Sequence, residues 1–191
     1  MKKIGESKYG LHCLFIYPNL KTFREFYTRY IQKQIDIKNE IILFNPFNET
    51  VGSVRQNLAK DHIRPDEFQH KSDISLIIAD SLDQYFGKVP MVEVKNKLVK
   101  FAVEKRKDGV SILSDMGSYF FKRLYKELIE YELTLPTQFD SLLKGICIYN
   151  QLDFDTRLTE KQKLDMVNHH GMAIQLKCID CISNRNNCIQ T

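Results

Sequence analysis

Residues 12–26, HCLFIYPNLKTFREF, pass from an unbroken apolar run into a segment whose Phe23, Phe26, Tyr27, Tyr30, Ile31 and Ile35 recur at three- and four-residue steps. The apolar run reads as a buried strand, and the spacing after it as a helix with one apolar face, N-capped by Asn19. Strand, tight turn and amphipathic helix form the opening unit of an α/β fold. In many such folds this first turn is a glycine-rich phosphate cradle with a lysine and a Ser/Thr. Here the turn is Tyr17-Pro18-Asn19-Leu20-Lys21-Thr22, which has no glycine and in which Pro18 removes a backbone donor. The stretch is therefore expected to recognise a ligand without hydrolysing a triphosphate.

The alternation continues along the chain. Apolar runs predict further strands at 40–47, 74–80, 109–115, 145–150 and 171–176, and helical periodicity fills 50–60, 91–107, 118–133 and 159–168. Pro90 opens one helix, Pro136 follows another, and Gly109 reads as a glycine cap between the third helix and the fourth strand. The pattern predicts an α/β fold, a doubly wound, mostly parallel sheet of about six strands with helices on both faces. No repeat or linker divides residues 1–176, read as one domain, and the cysteine-containing residues 177–191 read as an appended tail.

Composition narrows the function classes. With 191 residues, 43% hydrophobic and 27% charged, the chain is globular and large enough for a substantial core. A net charge of +4, from 28 basic and 24 acidic side chains, is too mild and scattered to indicate direct nucleic-acid binding. The basic run from Lys95 to Lys107 falls on the polar side of a predicted helix and reads as a solvated face. No stretch is apolar enough to span a membrane and MKKIGESKYG lacks a signal-peptide core, so a cytoplasmic location is expected. Of five cysteines, Cys13 and Cys147 lie inside strand patterns and are expected to be small buried hydrophobes, not disulfide partners.

Ligands of open α/β sheets lie beyond the carboxyl ends of the strands, where loops and helix N-termini converge. The candidate ligand-binding residues are therefore Tyr17 and Asn19, Asn45 and Phe47, Asp115 and Met116, and Tyr149 and Asn150. Asp80 and Asp115, ending neighbouring strands, also form a candidate acid–base pair, although strand-end aspartates commonly cap the next helix. His12, His169 and His170 fall at the amino ends of strands, away from that crevice, and are expected to be hydrogen-bonding structural residues. Thiols inside strands are poor nucleophile candidates. The tail spacing Cys178-x2-Cys181-x6-Cys188 offers three ligands where a structural zinc site wants four. Zinc or iron at the tail, a redox pair, or free thiols all stay open, and no other cofactor is expected.

The short motifs, taken in order, resemble the MEDS domain, the methanogen/methylotroph sensory domain of a dichloromethane-responsive repressor and of other prokaryotic signalling proteins. The matching features are His12-x4-Tyr17 with its following helix, Ser114-Asp115-Met116, Cys147-x-Tyr149-Asn150, and His169-His170 before Met172-Ala173-Ile174. They span residues 10–176. The chain departs from the pattern at Asp115, where Glu is frequent, at Asn150, where Asp is frequent, and at Gly171, where proline is common. The resemblance implies a degenerate RecA/KaiC-like fold without a phosphate loop, sensing a small organic compound and passing the signal to an output module.

No helix-turn-helix or kinase segment fits in the remaining residues, so the expected output is a separate signalling or transcription partner, with a homodimer also allowed. The leading expectation is a non-catalytic sensory domain binding a small, mainly apolar molecule. Two alternatives come from other classes: a residual nucleotide-binding protein or metal-dependent hydrolase using Asp80 and Asp115, and a protein-interaction module with a metal or redox cysteine tail.

Overall fold

In the computed structural model, which describes residues 7–37, 39–65 and 75–176, six parallel strands form one sheet in the order β3-β2-β4-β5-β1-β6. The strands are β1 (His12–Tyr17), β2 (Glu40–Asn45), β3 (Leu76–Ile78), β4 (Gly109–Asp115), β5 (Leu143–Asn150) and β6 (Met172–Gln175). Between them run α1 (Leu20–Ile37), α2 (Val51–Lys60), α3 (Ser81–Phe86), α4 (Met91–Glu104), α5 (Gly117–Lys122), α6 (Tyr125–Thr134), α7 (Gln151–Arg157) and α8 (Glu160–His169). The expected α/β class holds, and the arrangement is consistent with a doubly wound, RecA-like sheet.

Each central strand is apolar on both sides because both faces are covered. Cys13, Phe15, Tyr17, Phe44, Leu113, Ile146 and Ile148 pack against Phe23, Phe26, Tyr27 and Ile31 of α1 and Val54 and Leu58 of α2. Aromatic stacking strengthens this layer: Phe15 lies 3.8 Å from Phe26 and Tyr17 4.4 Å from Phe23, centroid to centroid. The opposite face carries two clusters. Leu14, Ile16, Cys147 and Tyr149 meet Met116, Phe120, Leu128, Phe154 and Met166, while Ile41, Leu43, Val110 and Ile112 meet Met91 and Ala102 of α4.

A polar knot closes the amino ends of β2, β4 and β5 beneath α1. Lys144 Nζ pairs with Glu40 Oε1 at 2.5 Å, both side chains at 1% exposure or less. The hydroxyls of Ser111 and Tyr9 donate to the same carboxylate at 2.6 and 2.9 Å, and Tyr30 reaches Ser111 at 2.9 Å. Every buried charge there has a counter-charge or hydrogen bond, as burial demands.

Several boundaries follow from local chemistry. Asn19 Oδ1 accepts from Thr22 N at 2.9 Å, the expected cap of α1. Thr159 and Gln162 form a reciprocal capping box on α8. Four readings are corrected. The helix expected over 118–133 is two helices, because Arg123 takes φ 58° and turns the chain between α5 and α6. The helix expected over 91–107 ends at Glu104 with Lys105 as its C-cap and Arg106 at φ 55°, so Gly109 is no cap. It begins β4 at a site where a Cβ would sit 2.4 Å from the Tyr9 ring. The short helices α3 and α7 lie where only loop was expected, each capped by a strand-end residue, Asp80 or Asn150. The third expected strand, 74–80, shortens to Leu76–Ile78.

Candidate functional site

The residues at the carboxyl ends of the strands are where the sequence places them, and the structure gives most of them a partner within the fold. Asp115 is fully buried, and its carboxylate gathers Asn48 N at 2.8 Å, Phe47 N at 3.2 Å, Asn48 Nδ2 and Gly117 N at 3.1 Å. Burial pushes this carboxyl up from its ordinary value, with the Asn48, Gly117 and Phe47 amides pulling the other way. It clasps the loop after β2 to the end of β4. Asp80 is engaged elsewhere, capping α3 through Leu82 N at 2.8 Å, so the two carboxylates serve separate hydrogen-bond sets.

Asn150 caps α7 through Leu152 N at 2.9 Å, and Asn19 caps α1. Phe47 packs 5.7 Å from the Phe121 ring. Tyr17, Asn45 and Met116 are buried in the frame. Tyr149, also buried, donates its hydroxyl to Glu132 Oε1 in a short hydrogen bond.

A cavity of about 480 Å³ lies instead against the broad face of β4 and β5, where the two clusters of that face meet. Its floor is Ile112 and Ser114 of β4, Leu143, Gly145 and Cys147 of β5, and His12 of β1. The walls come from Tyr85 of α3, Pro90, Met91, Val92 and Lys95 around the start of α4, Tyr119, Tyr131, and the 134–139 segment. Phe139 N donates to Gly10 O at 2.9 Å, which ties that segment to the chain entering β1. Gly145 leaves room for it, since a Cβ there would come 2.9 Å from the Phe139 ring. The lining is mainly apolar and aromatic. Its polar groups are the Ser114 and Thr134 hydroxyls, the Tyr85, Tyr119 and Tyr131 hydroxyls, all pushed up by burial, Lys95, pulled down by burial, and the His12 ring and Cys147 thiol. Size and lining suit a small organic molecule.

Beside the cavity, reached through His12 and Cys147 of its floor, lies a group of titratable side chains far apart in sequence. His12, Glu132, Cys147 and His170 each present one ligand atom, all within 4.8 Å of one another and all buried. His12 Nε2 lies 3.5 Å from Glu132 Oε2 and 3.7 Å from Cys147 Sγ, and His170 Nε2 lies 3.3 Å from Glu132 Oε2. Burial works to raise the Glu132 carboxyl, but the adjoining His12 and His170 rings outweigh it and hold it down at about 2. Burial, then the Glu132 charge, push the Cys147 thiol well up. His169, its ring edge-on to His12 at 6.2 Å between centroids, bonds Leu135 O at 2.6 Å, fixing the end of α6.

His12, Cys147 and His170 were legible as residues but not as a group. Parallel pairing sets His12 opposite Gly145, two residues before Cys147 on the same face, and the chain leaving α8 delivers His170 beside them. Glu132 was missed. The signal was its position four residues after Leu128, on the buried stripe of α6, where a solvated glutamate does not belong. The expected metal or redox residues Cys178, Cys181 and Cys188 lie outside the described residues.

A parallel sheet covered on both faces, with an apolar cavity on one of them, defines the class as an α/β domain. Among the described residues, no helix is long and apolar enough to cross a membrane. The model of the MEDS family, the MEthanogen/methylotroph, DcmR Sensory domain, matches residues 11–170, and the chain belongs to that family. No curated protein and no solved structure matches it.

Proposed function

We propose that this chain is a non-catalytic, cytoplasmic sensory domain that takes a small, mainly apolar organic molecule into the cavity on the β4–β5 face and signals to a separate partner protein. The observation that carries this reading is the 480 Å³ apolar cavity within a sensory-family domain. The sequence pointed to the crevice at the strand ends; the cavity is favoured because its polar groups are set among apolar walls, whereas Asp115, Asn150 and Asn19 are committed to loop and helix caps. Ser114, Tyr85 and Tyr131 would orient one polar atom of the ligand. Differential affinity for two positions of the α4 start and the 134–139 segment, which wall the cavity, would supply the signal.

Thermal denaturation with benzene, short haloalkanes, short alcohols and nucleotides tests the proposal. A ligand at about 100 times its Kd adds about 2.7 kcal/mol, or about 5–11 °C in a chain of this size. Val92→Trp, at an exposed wall position, should abolish that rise while leaving the unliganded Tm within about 2 °C. Absence of a rise with every apolar class, or a rise with nucleotides that survives Val92→Trp, would overturn it.

A further inference from the structure

Four side chains from β1, α6, β5 and the end of α8 point at one small volume beside the cavity. We propose that His12, Glu132, Cys147 and His170 form a tetrahedral site for one divalent transition-metal ion, with zinc the ion its donor set favours.

The spacing fits the chemistry. Around a tetrahedral zinc with bonds of about 2.0–2.3 Å, neighbouring nitrogen or oxygen ligands stand about 3.3 Å apart, and a nitrogen–sulfur pair about 3.6 Å. Three of the six edges stand close to those values, two nitrogen–oxygen edges at 3.3 and 3.5 Å and one nitrogen–sulfur edge at 3.7 Å, and the other three lie within 4.8 Å, so the side chains close in by up to about 1 Å on binding. The donor set of two imidazoles, a thiolate and a carboxylate suits zinc over magnesium or calcium, which want oxygen.

The hydrogen bonds on His170 and Glu132 have the form of an outer shell, while His12 Nδ1 is buried without a partner. His170 Nδ1 stands 2.6 Å from Met166 O and donates to it, which leaves Nε2 facing inward. Glu132 gives Oε1 to the Tyr149 hydroxyl and keeps Oε2 for the centre. Left to themselves, the inward atoms are poorly matched. His170 Nε2 and Glu132 Oε2 are buried at ion-pair distance, yet neither meets a hydrogen-bond partner in acceptable geometry. A cation between them gives both atoms a partner. It also balances charge, because a carboxylate and a thiolate with one divalent ion leave the buried site neutral, at the release of the Cys147 proton. His12 and Cys147 both line the cavity, which gives the ion an entry path.

The test uses the full chain with Cys178, Cys181 and Cys188 replaced by serine, so that no metal counted can belong to the tail. After equilibration with zinc and removal of excess, elemental analysis should find about one zinc per chain. Cobalt loading should give a thiolate-to-cobalt charge-transfer band with the intense visible bands of a tetrahedral ion. Adding Cys147→Ser should abolish the charge-transfer band, and adding His170→Gln should lower zinc affinity at least about 100-fold. Far-ultraviolet circular dichroism checks the fold of each variant. A folded tail-serine chain that retains no zinc, or a charge-transfer band that survives Cys147→Ser, overturns the proposal.

Discussion

Replacing Lys144 by methionine keeps an unbranched apolar stem, one atom shorter, and removes the ammonium. In the native fold Lys144 and Glu40 are sealed at 1% and 0% exposure, 2.5 Å apart, under α1. Without the ammonium, the Glu40 carboxylate keeps the Ser111 and Tyr9 hydroxyls but has no counter-charge. Breaking a buried pair from one side costs about 3–5 kcal/mol. For a chain of this size each kcal/mol is about 2–4 °C, so Lys144→Met should lower Tm by about 6–20 °C. Urea denaturation should report the same loss as a lower midpoint at unchanged slope. The double variant Lys144→Met, Glu40→Leu removes both charges and should regain at least about 2 kcal/mol, since an apolar pair often replaces a buried ion pair at little cost. The cost should also persist in about 1 M salt, which screens exposed charges far more than buried ones. A loss under about 1 kcal/mol in the single variant, or a loss that vanishes in salt, would refute the reasoning that this pair is sealed and interdependent.

Three further outcomes are expected. Tyr149→Phe removes the hydroxyl that holds Glu132 Oε1, and zinc affinity measured by equilibrium dialysis on the tail-serine chain should fall about 10–100-fold while Cys147 still gives its cobalt band. Burial pushes Tyr119 up to about 12, and Tyr30, Tyr85 and Tyr149 upward as well, so the folded chain keeps protons that the unfolded chain releases near pH 10. Stability measured by urea should then fall as pH rises above about 10, by about 1.4 kcal/mol per pH unit for each proton retained. Arg123, exposed at φ 58° between α5 and α6, should gain about 0.5–1 kcal/mol on replacement by glycine, read as a raised Tm.

β1 and β4 are found at the limits read from the sequence, since each is an apolar run closed by turn residues and buried on both faces. α1 is legible for the same reason: its apolar positions follow the helical period and Asn19 marks its start. Other elements left weaker traces. α3 and α7 are too short for a periodic signal, and their caps look like strand-end ligands. The break at Arg123 is invisible because a non-glycine residue takes the left-handed turn. The strand-end candidates follow from a general rule about open α/β sheets, and that rule says nothing of cavities on a sheet's face. A cavity on the face of a sheet depends on where α4 and α6 part over Ile112 and Gly145, a matter of packing that no local pattern encodes. For the same reason His12 and His170, read as remote from function, meet Cys147 and Glu132 only once the parallel register is known.

The most direct measurement is methyl-detected NMR on the full chain titrated with benzene and with short haloalkanes. Saturable shifts concentrated at Met91, Ile112 and Leu143, which line the cavity, with Met116 at the strand ends unmoved, are the predicted result. Shifts confined to Met116, or none at any of these methyls with every apolar probe, would contradict ligand recognition on the β4–β5 face.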